Sequence, residues 1–378
     1  MRYAVDAHAI GRNLTGNEVY VRSLLHAFES IDSESEYLAY VSEPGAAQAV
    51  PQRFRTRHIA SNPFVRLGFD FARKLREDRP ALLHVQYTSP LRCPVPTVVT
   101  VHDVSFLQHP EYFPWWRATQ LRITVARSVR QATRVLTISN FTRRTISEAY
   151  QISPDLITVI PAAANPFFRI ANRARAVRRV EERFGIREPF ILTVGDLQPR
   201  KNHVRLIEAF AQFAAKHPEL HHHLILAGKN TWYSERVADA VRQSGVADRI
   251  HLIGFVSDEE LLELYNACDC FAFPSLYEGF GLPLLEAMAC GRAVICSDRS
   301  SIPEVAGDAG ILFDPTDTHA IAAALESVLL DTDRRARLER LGLARAAQFT
   351  WRNAAEGTLE VYREVAGLPL RAHAAVQA

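Results

Sequence analysis

The feature that most restricts what this chain can become is a rhythm. Short runs rich in β-branched residues alternate with helix-length segments almost throughout. In the first half, strands are expected at residues 3–7, 81–86, 97–103 and 134–139, with helices across 17–30, 115–132 and 140–149. The second half repeats the pattern, with strands at 190–195, 223–228, 249–255, 270–275 and 293–298. Helices at 203–216, 233–243, 258–267 and 283–290 lie between and after them. Such alternation implies parallel sheets covered by helices on both faces. There are too many strands for one small sheet, and the pattern restarts near residue 190. The expected fold is therefore α/β, with two Rossmann-like domains over residues 1–168 and 169–351. Helical periodicity continues over about 317–366, and its last part, about 352–366, is expected to pack back on the first domain. Doubly wound domains bind ligands at the carboxyl ends of their strands, so a central cleft faced by both is the expected site.

Bulk properties narrow the class. A length of 378 residues suits two domains, and 48% hydrophobic with 23% charged residues suits a soluble globular chain. No apolar run approaches the roughly 18 residues of a membrane helix. The opening "MRYAVDAHAI" reads at once as a strand and lacks a signal-peptide pattern. The five cysteines (93, 268, 270, 290, 296) form no C-x-x-C pair, so neither a disulfide framework nor a zinc site is indicated. A reducing, cytoplasmic setting is expected. A net charge of +2 argues against a dedicated nucleic-acid binder. The charge is uneven, however: residues 1–165 hold 19 Lys+Arg against 14 Asp+Glu, and the remainder 25 against 28.

The stretch "YEGFGLPLLEAMACG", residues 277–291, follows an expected strand with a glycine-rich turn. Gly279 and Gly281 let backbone come close to a ligand. Pro283 suits the first turn of a helix and Gly291 its stop. The free N–H groups of such a helix favour an anion such as phosphate. Glu278, before the turn, can meet a polar group beside that anion. Glu286, placed in the first helical turn, can accept from a pair of hydroxyls. A phosphate flanked by two polyhydroxylated groups describes a sugar nucleotide. The competing reading makes Glu278 a solvated loop residue and Glu286 a complement to the helix dipole.

Residues 277–316, "YEGFGLPLLEAMACGRAVICSDRSSIPEVAGDAGILFDP", resemble the signature of family-4 glycosyltransferases, with weaker similarity over nearly the whole chain. The resemblance implies retaining enzymes of the B-type, twin-Rossmann glycosyltransferase fold. It implies that Glu278 contacts the donor sugar and Glu286 the nucleotide ribose. Backbone amides around Phe280, Gly281 and Leu282 are implied at the sugar and diphosphate.

Four further segments stand at strand ends. In "GDLQPRKNHVRLIEAF", residues 195–210, Arg200 and Lys201 are placed to stabilise a departing diphosphate, and Asn202 to cap the next helix. Some family members carry an arginine where this chain has Asp196, which leaves more of the phosphate contact to Arg200 and Lys201. His102 ends "TVVTVH", where the family often has a histidine near the donor sugar or the acceptor hydroxyl; a structural role is the alternative. Gly16, in a loop before the first helix, is a candidate for amide contact with the diphosphate. Asn17 and Glu18 depart from the glycine and arginine of many relatives there. Ser139 either reaches the cleft or caps the helix that follows it. Phe255 and Val256 sit where relatives hold the nucleotide base through backbone.

Other signals carry less. "DTD" at residues 331–333 reads as a helix N-cap, and His221, His222 and His223 lack metal-ligand spacing, so no metal and no cofactor is expected. The helix at residues 115–134 is aromatic and basic; it fits an anionic membrane surface or a lipid-linked sugar, or else packs within its domain. The expected activity is retaining transfer of a hexose from a nucleoside-diphosphate sugar to a glycan or lipid-linked acceptor, in the cytoplasm or at the inner face of the membrane. Segments "HDVSFLQHPEYFP" and "SSIPEVAGDAG" resemble mannosyltransferases using GDP-mannose. UDP-glucose transfer, a sugar-nucleotide epimerase and a non-catalytic sugar-nucleotide sensor stay open. No G-x-G-x-x-G opens a helix after a strand, so a dehydrogenase is poorly supported.

Overall fold

The computed structural model describes residues 1–12, 15–187 and 189–368. Two α/β units emerge from the chain. The first comprises Met1–Ala162 together with the chain from Thr350, and the second is Ala163–Phe349. The break thus falls six residues before the division expected near 168.

The first unit holds β1 (Arg2–Asp6), β2 (Glu36–Val41), β3 (Arg55–His58), β4 (Leu82–Gln86), β5 (Thr97–Thr100), β6 (Arg134–Thr137) and β7 (Ile157–Val159). All pairs are parallel, in the order β3-β2-β1-β4-β5-β6-β7. The second holds β8 (Phe190–Val194), β9 (His223–Ala227), β10 (Ile250–Gly254), β11 (Cys270–Phe273), β12 (Val294–Ser297) and β13 (Gly310–Phe313). These are also parallel, in the order β10-β9-β8-β11-β12-β13. In each sheet the order reverses once, between β1 and β4 in the first and between β8 and β11 in the second. Loops on either side of a reversal leave in opposite directions, which opens a crevice beyond the strands' carboxyl ends.

Helices cover the sheets for ordinary reasons. Central strands such as Leu82–Gln86 and Phe271–Phe273 are buried throughout, as strands covered on both faces must be. Val125, Val129 and Ile146 pack on Val99 and Val135 in the first unit; Leu206, Phe210 and Leu325 pack on Ile191 and Leu224 in the second. Burying each such side chain contributes about 1.5–3 kcal/mol. Starts are fixed by side chains: Ser139, Asp331 and Thr350 each accept a hydrogen bond from the third residue of the helix they open. The expected helical tail is three helices, Thr318–Leu329, Thr332–Ala346 and Trp351–Val365. The last belongs to the first unit. Its Tyr362 hydroxyl lies 2.6 Å from His84 Nδ1, its ring packs beside Tyr3 and Phe28, and Glu364 pairs with Arg134. No helix among the described residues is long and apolar enough to cross a membrane.

Candidate functional site

The reversal in the second sheet is where the charged residues gather. After β8 the chain makes a tight turn, Pro199–Lys201, and the helix His203–Lys216 follows. After β11 it runs through Pro274 to the glycine-rich turn and the helix Leu282–Ala289. Leu276 N–H donates to Arg200 C=O at 2.7 Å, tying the two loops together. Arg200 Nη1 then lies 2.8 Å from Glu278 Oε2, and Lys201 Nζ 2.7 Å from Glu278 Oε1. Glu278 and Lys201 are both buried. Lys201 also lies over the Phe273 ring. Among the described residues its ammonium has one hydrogen-bond acceptor for three N–H groups.

Burial alone would raise the Glu278 carboxyl; Arg200 and Lys201 outweigh it and hold the group at about 2. Burial lowers the Lys201 amine, against the pull of Glu278. With all three charged, the cluster carries a net positive charge at the mouth of a helix whose own N-terminus is electropositive. Its geometry is over-determined. Ser300 Oγ accepts from Glu278 N–H at 3.0 Å, and Ser301 Oγ donates toward the carbonyls of Glu278 (2.9 Å) and Phe280 (3.1 Å). Ser300 takes a left-handed backbone (φ 56°) to do so.

Glycine is required at two places here. A methyl on Gly228 would stand 2.0 Å from the Gly195 carbonyl oxygen, so the end of β9 and the loop after β8 touch only because Gly228 lacks a side chain. Gly281, at φ 116°, turns the chain into the helix. Phe280 beside it is buried and Leu282 half-buried.

Glu286 lies in the second turn of the helix Leu282–Ala289, not the first as expected, because the helix begins at Leu282. It is half-buried, and the Tyr265 hydroxyl donates to its Oε2 at 3.0 Å. Among the described residues no cation faces it, and burial carries its carboxyl up to about 7. Its Oε1 has no hydrogen-bond partner among the described residues. Glu278, before the electropositive helix start, and Glu286, one turn inside the helix, thus stand as two carboxylates in unlike surroundings.

Contrary to expectation, Asn202 does not cap its helix by side chain. It stands at the N-cap in a left-handed conformation (φ 59°), and its amide donates instead to the carbonyls of Pro274 (3.1 Å) and Pro315 (2.7 Å). Asp196 receives the Lys229 N–H at 3.2 Å and so braces the adjoining loop. Val256 follows β10 on the same sheet edge, half-buried, beside an exposed Phe255 under the Lys229 ammonium.

The remaining sequence candidates lie in the first unit. His102 follows β5 and is buried, its Nε2 2.8 Å from Gln86 Oε1. Gln86 uses its amide nitrogen on the Asn17 carbonyl, so its oxygen accepts and His102 Nε2 carries the proton. Burial depresses the imidazole to about 4, leaving it neutral with Nδ1 as an acceptor. Gly16 is in the first turn of the helix Thr15–Ile31 rather than in the loop before it, and a side chain there would meet nothing within 4 Å. The preceding Asn13 and Leu14 lie outside the described residues. Ser139 is fully buried, accepts from Thr142 N–H as a helix cap and donates to Thr142 Oγ1 at 2.9 Å.

Asp331 caps the helix Thr332–Ala346, and His222 pairs with Asp269. Among the described residues, no group of three or more His, Cys, Asp or Glu is gathered for a metal ion. Sequence reasoning missed Tyr265, Ser301 and Gly228. Only Gly228 left a signal, since both "FILTVG" and "HLILAG" end a strand on glycine.

Comparison with known proteins agrees with this layout. Residues 14–166 match the family model for Glycosyltransferase Family 4, and residues 176–344 that for Glycosyl transferases group 1. The chain is similar to O-antigen chain mannosyltransferase B of Escherichia coli, 35% identical over 70% of each chain. It is 29% identical to the serotype-specific mannosyltransferase WbdA of Escherichia coli over 71% of its own length, spanning about a third of that longer protein. Among solved structures, sucrose-phosphate synthase from Thermosynechococcus elongatus superposes with a TM-score of 0.78 at 20% identity, covering 97% of this chain and 99% of that one. That likeness identifies the two parallel-sheet units as those of the B-type glycosyltransferase fold. On the two family models and the mannosyltransferase relative together, the protein belongs to glycosyltransferase family 4 and is a hexosyltransferase.

Proposed function

We propose that the chain transfers a mannosyl group from GDP-mannose to a hydroxyl of a glycan or lipid-linked glycan, keeping the anomeric configuration. The observation that carries this reading is the Glu278–Arg200–Lys201 cluster at the reversal of the second sheet. A donor diphosphate meets two cations and a helix start there. The departing diphosphate gains charge as the sugar–oxygen bond breaks, and fixed cations stabilise that change without reorganising. Glu278, kept ionised, accepts from sugar hydroxyls. Glu286 accepts from the ribose hydroxyls, and backbone at Val256 borders the base. His102, neutral, offers Nδ1 to a hydroxyl of sugar or acceptor. Gly16, in its helical turn, offers an N–H that the helix itself leaves unpaired. The diphosphate is served by protein cations, so no metal enters this scheme.

Mannose is favoured by the two mannosyltransferase relatives. Action in the cytoplasm is favoured by five unpaired cysteines, four of them buried. The test is thermal stabilisation by GDP, UDP and ADP, followed by transfer from the matching sugar nucleotide. The largest shift is expected with GDP. A larger shift with UDP would move the donor to UDP-glucose. Interconversion of the free sugar nucleotide without acceptor would indicate an epimerase, and nucleotide binding with neither reaction a sensor.

A further inference from the structure

The carboxyl end of the first sheet holds a buried carboxylate that the transfer scheme leaves idle. Asp6 is the last residue of β1, the strand that neighbours β4 at the reversal of that sheet. It therefore stands where the first unit opens its own crevice. It is 2% exposed. Its Oδ1 accepts from the His8 N–H at 3.1 Å and lies 2.9 Å from His8 Nδ1. Its Oδ2 is buried and receives no hydrogen bond among the described residues. Burial would raise this carboxyl; His8 and Arg66 outweigh it and hold the group below its ordinary value. Arg66 acts through its field and not through a bond: its Nε is buried without a partner, and its Nη1 reaches the Ser61 carbonyl at 3.5 Å. Arg12, whose charge Arg66 feels, pairs with Glu43 at 3.5 Å. His8 is thus the only hydrogen-bonding partner of Asp6 among the described residues.

That contact decides which nitrogen of His8 is left over. An ionised carboxylate can only accept, so Nδ1 carries the proton and Nε2 presents its lone pair. Nε2 has no hydrogen-bond partner among the described residues, and the side chain is 18% exposed. Ser42 Oγ donates to the His8 carbonyl at 3.2 Å and holds the backbone there.

Two other imidazoles of the first sheet have neutral partners. His84, within β4, lies 2.6 Å from both the Tyr362 hydroxyl and Thr100 Oγ1, and His102 lies against the Gln86 amide. Burial carries His102 down to about 4; burial together with His102 carries His84 down to about 3, against the pull of Asp6. Neither can keep a proton taken from a hydroxyl near neutral pH. An imidazolium at His8 faces a carboxylate with no other hydrogen-bond donor, and its charge offsets the cost of burying that carboxylate.

We infer that His8 is the general base of the transfer and takes the proton of the acceptor hydroxyl at Nε2, with Asp6 as the residue that positions it. The inference deepens the transfer reading and rests on it. As the bond from the anomeric carbon to the diphosphate oxygen breaks, its electron pair leaves with the diphosphate. The acceptor oxygen bonds to that carbon and gives its proton to Nε2, and Asp6 holds the imidazolium. Once the glycoside departs, the proton passes to water. The competing proton acceptor is the departing diphosphate oxygen, which makes no use of His8.

The experiment is steady-state transfer from GDP-mannose to methyl α-mannoside by the full chain at neutral pH. His8→Gln should lower kcat by about a hundred- to ten-thousandfold, the usual share of a general base, with KM for GDP-mannose little changed. Asp6→Asn should lower kcat as well, because an asparagine amide can donate to Nδ1 and so turn the ring's proton to Nε2. Imidazole in the buffer should restore part of kcat to His8→Ala, whose ring is missing, and none to Asp6→Asn, whose ring is present in the wrong tautomer. Both His8 variants should keep the wild-type thermal shift with GDP, which reports the second unit. A folded His8→Gln enzyme with wild-type kcat would overturn the inference and leave the proton to the diphosphate. A loss in His8→Ala that imidazole cannot restore would overturn it too, by making His8 structural. Absence of transfer by the wild type would instead break the transfer reading, and the inference with it.

Discussion

Glu278, in the turn after β11, lies against two cations and is held ionised down to about 2; Glu286, eight residues on and inside the helix, faces one tyrosine hydroxyl and is carried up to about 7. The turn and the helix body are neighbours in sequence and opposites in electrostatics. Burial penalises both carboxylates, and the difference is what faces them. The turn brings in the loop after β8 with its Arg200 and Lys201. The helix body brings in Tyr265, which donates one hydrogen bond and no charge. One carboxylate is therefore a fixed anion, and the other changes charge near neutral pH.

The largest effect should come from the cationic side of the turn. Lys201→Ala should lower kcat by about a hundred- to a thousandfold, the cost of removing one preorganised donor from a developing negative charge. Thermal stability should fall less, since Glu278 keeps Arg200. Normal turnover with a lowered melting temperature would show that Lys201 is structural.

Next is the carboxylate itself. The folded value of Glu278 lies below its ordinary 4.5, so its contribution is fully present above that pH and is lost as pH falls toward 2. At neutral pH, Glu278→Gln should cost about 3 kcal/mol, an order-of-magnitude figure from that shift. By pH 3 the gap from wild type should narrow to about half or less. Urea titrations at both pH values decide the matter, and a gap that does not change with pH would mean that the ion pairs are not its source.

Glu286 tests the opposite half of the comparison. On the proposed ribose contact, Glu286→Ala should weaken nucleotide binding by about 1.5–3 kcal/mol. Its raised value also makes binding pH-sensitive: a proton competes with the ribose below about 7, so affinity should fall by up to about tenfold per pH unit. Glu286→Gln removes that proton, and the difference between wild type and variant cancels the nucleotide's own titration. The sign for stability is reversed relative to Glu278, because a raised carboxyl favours the folded state below 4.5 and loses that contribution as pH rises to about 7. Parallel pH profiles for wild type and Glu286→Gln would end the ribose assignment.

The smallest expected effect is none. With Arg200, Lys201 and the helix start supplying positive potential, transfer should survive excess EDTA, and product NMR should show a retained anomer. Complete loss in chelator would reopen Asp331 and Asp333, and an inverted product would falsify the retaining scheme.

The contrast between the glutamates also marks how far the sequence could be read. The turn is local: strand, glycines, proline and helix follow one another, so their pattern gives the site's position and the likeness to family 4. Most central strands are equally legible because they are apolar runs, but the buried strand Glu36–Val41 and the edge strand Gly310–Phe313 were not among those expected. The edge strand Arg55–His58 is not legible, for it is polar and largely exposed, and Ile157–Val159 is only three residues long. Partners distant in sequence left no trace. Tyr265 is 21 residues from Glu286, and nothing in "LLELYNA" announces that its hydroxyl will meet a carboxylate. Asn202 looked like a cap because capping is what asparagine does before a helix; the carbonyls of Pro274 and Pro315 outcompete that local bond. The helix holding Gly16 begins at Thr15, two residues before the expected start, where helix boundaries are softest.

The return of the helix Trp351–Val365 to the first unit has a consequence for the order of synthesis. Tyr3 on the first strand packs against Tyr362, and His84 on a central strand bonds to it. The ribosome releases the second unit as one uninterrupted stretch, Ala163–Phe349, before it delivers that helix. The unit made first is thus the last to be completed, and until then its tyrosine- and phenylalanine-rich seam stands open. A nascent chain stalled after Phe349 should carry a finished second unit tethered to an unfinished first one that chaperones can still hold.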